Sequence, residues 1–448
     1  MSNKVKIGSF CKVRRGASPR PIDNPNYFGG DVGWIRISDV TKSFKYLNKT
    51  EQYVSPLGES LSVRVDKGDL VMSICGTIGR PIIINIPSCI HDGFVQLYDI
   101  KDANKEYLYY ILQHHEKDLE RKGQPGTQVN LNTTIVENFE IYFPAKPVQS
   151  KIARILSTAD AVIEKTQAAI AKYKAIKQGM LQDLFTRGID LKTNKLRPRY
   201  QDAPELYKES KLGMIPREWD EKSLEESTDY VDYRGKTPPK SDFGVFLVTA
   251  KNIRFGYIDY EISKEYIRED SFESAMSRGK VKLGDVLFTT EAPLGNVAQI
   301  DREDVALAQR VIKYRGFDNL LDNDYLALCL MSDGFQRQLF SEATGTTVLG
   351  IKGSRLHKLK ITIPRLDEQR FIVKRLKAID NKLQTEQTYL QKMQSLKKGL
   401  MEDLLSGRKC LNLDFQDEQI NQDSKTILQS VNRVNQDADN YPVNPKIE

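Results

Sequence analysis

Chemistry in this 448-residue chain would show first in the spacing of its histidines, cysteines and carboxylates, and that spacing points away from a self-contained catalyst. His91, His114, His115 and His357 lack metal-ligand or nucleophile-activating spacing; His114 and His115 are adjacent, neighbours on a helix face different ways, and surface positions are expected. Cys11, Cys75, Cys89, Cys329 and Cys410 are odd in number, far apart and without a Cys-x-x-Cys pair. Reduced thiols are expected, with neither a zinc site nor a disulfide framework. No Gly-x-x-x-x-Gly-Lys-Ser/Thr loop is present to cradle the phosphates of ATP. Asn24-Pro25-Asn26-Tyr27 departs at its third position from the Asn-Pro-Pro-Tyr loop of amino-methyl transfer, and no glycine-rich cofactor loop follows a strand. Glu209-Ser210-Lys211 has the residue types that end a nuclease metal motif, but no strand hairpin is expected there to hold it. No catalytic and no metal-ligating residue is assigned.

What remains is a set of basic, polar loops at matching places in two halves. The first half offers Arg14, Arg15, Arg20, Arg80 and the 124–132 loop with Gln124, Gln128, Asn130 and Asn132. The second offers Arg234, Lys236, Lys240, Lys251, Asn252, Arg254, Arg310 and the 344–352 loop with Thr346, Thr347 and Lys352. Arginine and lysine suit phosphates and guanine edges, and asparagine and glutamine suit adenine, so the chemistry on offer is recognition of double-stranded DNA.

Those loops must be positioned by a unit that is written twice. Lys67-Gly68-Asp69 with Gly79 returns as Leu283-Gly284-Asp285 with Gly295, 216 residues on from Gly68 to Gly284. Phe143-Pro144 with Gln149 returns as Ile363-Pro364 with Gln369, and Gln178-Gly179-Met180-Leu181-Gln182-Asp183-Leu184 as Lys398-Gly399-Leu400-Met401-Glu402-Asp403-Leu404. A period this long, used only twice, is no solenoid repeat and predicts pseudo-two-fold symmetry, which B-form DNA shares.

Each half divides into a globular part and a rod. Gly33–Ile37, Leu70–Ile74 and 139–143 read as strands between turn residues, whereas 107–122 and 325–340 each read as a helix, an α+β domain. After Gln149, Ile152, Ala159, Thr166, Tyr173 and Met180 repeat every seven residues, with Leu156, Ile163, Ile170, Lys177 and Leu184 between them. The second copy repeats the pattern with Ile372, Ile379, Glu386, Met393 and Leu400, and with Leu376, Leu383, Leu390, Lys397 and Leu404. This is an a/d seam over roughly 35 to 40 residues, about 55 to 60 Å of helix, broken in both copies at the lysine. Antiparallel pairing is expected through Ile152, Leu156, Ile163, Ile170 and Tyr173 of one rod and Ile372, Leu376, Ile379, Leu383, Leu390 and Met393 of the other. The expected fold is α+β: two pseudo-symmetric domains at 1–146 and 219–366, separated by a long antiparallel two-helix coiled coil of 147–188 and 367–408. An ordered connector fills 189–218, and 409–448 is a polar tail expected to be largely disordered.

With 40% hydrophobic and 28% charged residues the chain can bury two cores. Its net charge of +7 is compatible with a polyanionic partner without requiring one. Neither a signal peptide nor a membrane-length apolar run is read, and the cytoplasm is expected.

From residue 5 to residue 408 the chain resembles the specificity subunit of type I restriction-modification enzymes. The resemblance rests on the two Gly-Asp signatures, on Pro144 with Gln149 and Pro364 with Gln369, on the closing motifs at 178–184 and 398–404, and on Gly213-Met214-Ile215-Pro216 with Trp219. It implies that each α+β part is a target recognition domain reading half of a bipartite, gapped DNA site. It also implies that the paired helices set the gap and dock two modification subunits, in a complex completed by restriction and translocation subunits. Those partners would bring S-adenosylmethionine, ATP and Mg; this chain would carry no cofactor and choose sequence without catalysing. The helices are closely copied while the globular parts diverge, so the target is expected to be asymmetric. A stand-alone bipartite DNA-binding regulator, and a complex that modifies without cutting, remain open on sequence.

Overall fold

The computed structural model describes residues 4–123, 131–233, 238–345 and 348–407. Gln124, Gln128, Asn130, Arg234, Lys236, Thr346 and Thr347, and the tail from 409, lie outside the described residues. Contacts divide the chain into two compact units, residues 1–169 with 386–448, and residues 170–385. The division cuts both long helices, where the sequence placed boundaries at 146 and 366.

In the first unit a five-stranded sheet runs in the order Lys12–Arg15, Phe94–Tyr98, Leu70–Ser73, Pro81–Ile84, Tyr46–Leu47. Leu70–Ser73 and Pro81–Ile84 are buried at every residue, which accounts for their apolar composition, Ser73 alone being polar. A four-stranded sheet orders Gln52–Val54, Phe28–Ile35, Ser88–Ile90 and Val63–Val65, and Lys4–Lys6 pairs with Glu140–Tyr142. The second unit repeats the plan with Thr228–Asp232, Val311–Gly316, Val286–Thr290 and Leu294–Gln299 in one sheet. Its other sheet holds Lys240–Ser241, Tyr266–Ile267, Val245–Val248 and Val305–Leu307, and Asp220–Ser223 pairs with Lys360–Ile363. The repeated Gly-Asp signature is a turn. Gly68 and Gly284 take φ of +89° and +81°, and the carboxylates of Asp69 and Asp285 accept from the amides of Asp66 and Lys282 at 2.9 and 2.8 Å.

Three local expectations are corrected. The strand expected at Gly33–Ile37 is Phe28–Ile35, because Ile37 opens the helix Ile37–Lys42. The helix expected at 107–122 is two, Lys105–His114 and Glu116–Lys122, broken at His115. That expected at 325–340 is likewise Asn323–Met331 and Asp333–Glu342, where the Ser332 hydroxyl accepts from the Phe335 amide and so starts a new helix. The connector is ordered as two hairpins, Ile189–Asp190 with Lys195–Leu196 and Tyr207–Ser210 with Gly213–Pro216. Glu368 anchors it: its carboxylate takes the amide of Ile189, the guanidinium of Arg197 and the indole N–H of Trp219, all buried.

The rods run from Lys146 to Thr186 and from Leu366 to Leu405. Each begins on its own globular part, pinned by one glutamine. Gln149 accepts from the Asn104 amide and donates to Pro144 O, both at 2.8 Å, and Gln369 does the same with Asp322 and Pro364 at 2.8 and 2.7 Å. The repeated Pro and Gln therefore lock the rod to the N-cap of the domain helix. Ile152, Leu156, Ile163 and Met393 join the core of the first unit, with Leu390 packed against it, while Ile372 and Leu376 join that of the second. Ile170, Tyr173, Ile379 and Leu383 are buried as well. The rods are thus seam and domain support at once, with each apolar side chain contributing about 1.5–3 kcal/mol on burial.

Within each unit the start of one rod lies beside the end of the other. Lys397 Nζ lies 2.7 Å from Asp160 in the first unit, and Lys177 Nζ lies 2.5 Å from Asp380 in the second. Residue 160 with 397 and 177 with 380 is one antiparallel register. The lysines that interrupt both heptad series are consequently not flaws: each is the ionic partner of an aspartate seventeen positions away in the other copy's numbering.

Candidate nucleic-acid interface

The loops that could meet DNA converge at one end of the sheet that holds Leu70–Ser73 in the first unit and Val286–Thr290 in the second, held by main-chain bonds. In the first unit Ile74 N donates to Gly93 O at 2.8 Å, Leu131 N to Ile74 O at 3.0 Å, Gly16 N to Phe94 O at 2.9 Å and Ala17 N to Ile90 O at 3.1 Å. In the second, Thr290 N donates to Arg310 O and Ile351 N to Thr290 O, both at 3.0 Å, and Gly350 bridges both Glu291 and Thr344. The two clusters share a scaffold: Ile74 answers to Thr290, and Gly93 to Arg310. Gly16 has no room for a side chain, since a Cβ would lie 2.1 Å from His91 O.

Around Asp92 the first cluster gathers several of the expected residues. Arg20 Nη2 donates to its Oδ2 at 3.1 Å, Ser18 Oγ to its Oδ1 at 2.6 Å, and Arg15 Nε to its carbonyl at 2.7 Å. The Ser18 hydrogen bond first, and the charge of Arg20 with it, hold the Asp92 carboxyl below its ordinary range. Burial pushes the neighbouring His91 imidazole down and keeps it neutral at physiological pH. Arg14 instead braces the sheet, through Gln96 Oε1 at 2.5 Å and Arg64 O at 3.1 Å, and Arg80 stands half-buried. Asn132 caps the helix Thr133–Glu137 by accepting from Ile135 N at 2.8 Å. In the second cluster Arg310 lies 3.4 Å from Glu291, and Lys352 is exposed beside Gly353–Leu356.

Other expected residues do not join these clusters. Lys240, paired with Glu265 at 2.7 Å, Lys251, which is exposed, and Arg254, 3.9 Å from Asp259, belong to the sheet of Val245–Val248 and the turn after that strand. Asn252 is a correction. It is wholly buried, accepting from Thr249 N and donating to the carbonyls of Asp259 and Ser263, so its amide holds a turn and has no edge free for a base. Sequence reading missed Asp92 and Glu291, the acids that orient the arginines; in Glu291 the only signal was its position 216 residues after Cys75.

The chemical exclusions also change in detail. Of the histidines only His357 departs from the surface expectation by full burial: it is 6% exposed, stacks on Tyr230 at 3.7 Å and lies 2.9 Å from the Tyr314 hydroxyl, whereas His91, His114 and His115 are half-buried. Glu209-Ser210-Lys211 does lie on a hairpin, contrary to expectation, yet among the described residues no group of three or more His, Cys, Asp or Glu side chains is placed to hold a metal. Cys11, Cys75, Cys89 and Cys329 are free thiols. Among the described residues no helix is long and apolar enough to cross a membrane.

The chain matches the type I restriction modification DNA specificity domain family twice, over residues 2–173 and 216–395. It is 26% identical over 427 residues to the MjaVIII type I restriction enzyme specificity subunit of Methanocaldococcus jannaschii, covering 92% of this chain and 94% of that protein. The EcoBI specificity subunit of Escherichia coli is 21% identical over 387 residues, 84% of this chain and 78% of that one. Among solved structures, the S subunit of a type I restriction-modification system from M. genitalium superposes with a TM-score of 0.54 at 14% identity, covering 90% of this chain and 95% of that chain.

Proposed function

Because this chain belongs to the type I restriction modification DNA specificity domain family, we propose that it is the sequence-reading subunit of a type I restriction-modification complex, recognising an asymmetric bipartite DNA site with a gap between its halves. The observation that carries this reading is internal. One loop scaffold is built twice, with Ile74, Gly93 and Leu131 in one unit answering to Thr290, Arg310 and Ile351 in the other, but the side chains it presents differ. Two readers of different bases need that combination, since main-chain scaffolds position and side chains at base edges specify.

The rods complete the reading. Their closing motifs are near-copies, as expected if each docks one of two identical modification subunits, and their length sets the gap. The chain itself chooses sequence and catalyses nothing; modification subunits bring S-adenosylmethionine, and restriction subunits bring ATP-driven translocation with Mg. The cytoplasm is where such a complex meets DNA.

Mapping methylated adenines in a host genome with and without this chain tests the proposal. A bipartite, asymmetric motif that vanishes with the chain is the expected result; a purified lone chain that regulates a promoter while no motif depends on it would favour the regulator.

A further inference from the structure

Within a shared scaffold, a position that differs sharply between the two units marks what distinguishes their readings, and 310 is that position. In the first unit its counterpart is Gly93, where a Cβ would sit 2.4 Å from both Cys75 Sγ and His91 Cε1, so no side chain fits. In the second unit Ala308 stands in place of His91, Glu291 in place of Cys75, and the position carries a full arginine side chain.

That arginine is held against its backbone preference. Arg310 has φ of +71°, a left-handed conformation that large L-residues rarely adopt and that glycine would take without strain. Its side chain is 48% exposed, with Nε 3.4 Å from Glu291 Oε2. An exposed cation contributes little to stability, so a strained backbone is retained for a group aimed outward, with Glu291 fixing its direction.

We infer that Arg310, oriented by Glu291, reads a guanine in the half-site served by the second unit. This rests on the function proposed above. The planar fork of arginine matches the O6 and N7 acceptors that guanine presents in the major groove, and the geometry is one that lysine does not reproduce. The first unit, with Gly93 at this point, lacks that contact and reads its half-site through other side chains.

The test is methylome mapping with Arg310→Gly and Arg310→Lys in the assembled complex, together with thermal unfolding of the same complexes. Arg310→Gly relieves the left-handed strain, so the midpoint holds or rises, while discrimination at one guanine of one half-site falls roughly 5- to 150-fold. Arg310→Lys gives the same relaxation, and the other half-site and the gap stay as they were. A motif unchanged by both substitutions overturns this inference alone; absence of any motif dependent on the unsubstituted chain overturns the proposed function and the inference with it. Uniform loss of affinity across sequences, with the salt slope reduced by about one, would make Arg310 a phosphate contact and also overturn it. A lowered midpoint with Arg310→Gly would make the side chain a structural brace, and the inference would fall on that result too.

Discussion

Equivalent residues here do unequal amounts of structural work. Asp160 has 6% of its side chain exposed and accepts from the Tyr110 hydroxyl at 2.6 Å as well as pairing with Lys397, itself 14% exposed. Asp380 and Lys177, the same pair in the other unit, are 41% and 31% exposed. Removing one member of a buried pair strands the other charge, at about 3–5 kcal/mol, whereas an exposed pair contributes about 0–1 kcal/mol. Asp160→Ala should therefore lower unfolding stability by about 3 kcal/mol or more and Asp380→Ala by less than about 1 kcal/mol, measured by denaturant melts of the full chain. A second pairing has been exchanged between copies. In the first unit Lys45 comes from a loop to Glu106 at 3.4 Å and Ser157 at 2.9 Å; in the second, Lys377 on the rod, at the position of Ser157, reaches Asp324 at 2.5 Å. Ser157→Lys should destabilise the first unit by setting two ammonium groups against each other, and adding Lys45→Gly should recover part of the loss. The coupling in that double-mutant cycle should be about 0.5–3 kcal/mol; strict additivity would show that the two lysines are not alternatives.

Among the elements, the rods were the most legible, because a seven-residue period sustained over 41 and 40 residues has few other meanings. The period could not say why Lys177 and Lys397 interrupt it, since the answering aspartates lie on the partner rod and are found only by antiparallel register. That register also says where length can be added. A heptad inserted after residue 169 and another after 389 leave both Lys–Asp pairs aligned and add about 10 Å, about three base pairs of duplex. The methylated motif of such a variant should keep both half-sites and widen its gap by about that amount; an unchanged gap would mean that the rods do not set it. The domain helices were less legible. Ser332 carried a readable capping signal inside an apolar pattern, but the break at His115 carried none, because His115 is a poor cap whose side chain is instead held by Asp118 at 2.9 Å.

For the whole chain, the division at 169–170 and 385–386 has a consequence for domain exchange. The core of the first unit includes Met393, Leu400, Leu404 and Leu405 from the second rod, so a transplanted domain must fit a surface far away in sequence. Exchanging residues 1–146 for those of a relative should still change one half-site and leave the other and the gap intact. A relative lacking counterparts of Lys45 and Tyr110, which face Ser157 and Asp160, should show a lowered first melting transition in the same complex.

The duplication, with its repeated Gly-Asp and Pro-Gln signatures, and the rods with their apolar seam could be read before folding, because each is encoded in residues near one another or at a fixed period; that the first signature is a turn and the second a lock on the domain helix emerged only from the hydrogen bonds. Which acid meets which base could not. Asp92 with Arg20, Glu291 with Arg310 and Asp160 with Lys397 are joined across 72, 19 and 237 positions by sheet register and antiparallel packing. Burial then separated Asn252, a wholly enclosed holder of a turn, from Arg310, an exposed cation on a strained backbone. Composition marks both as polar loop residues; only the solvent around each side chain tells them apart.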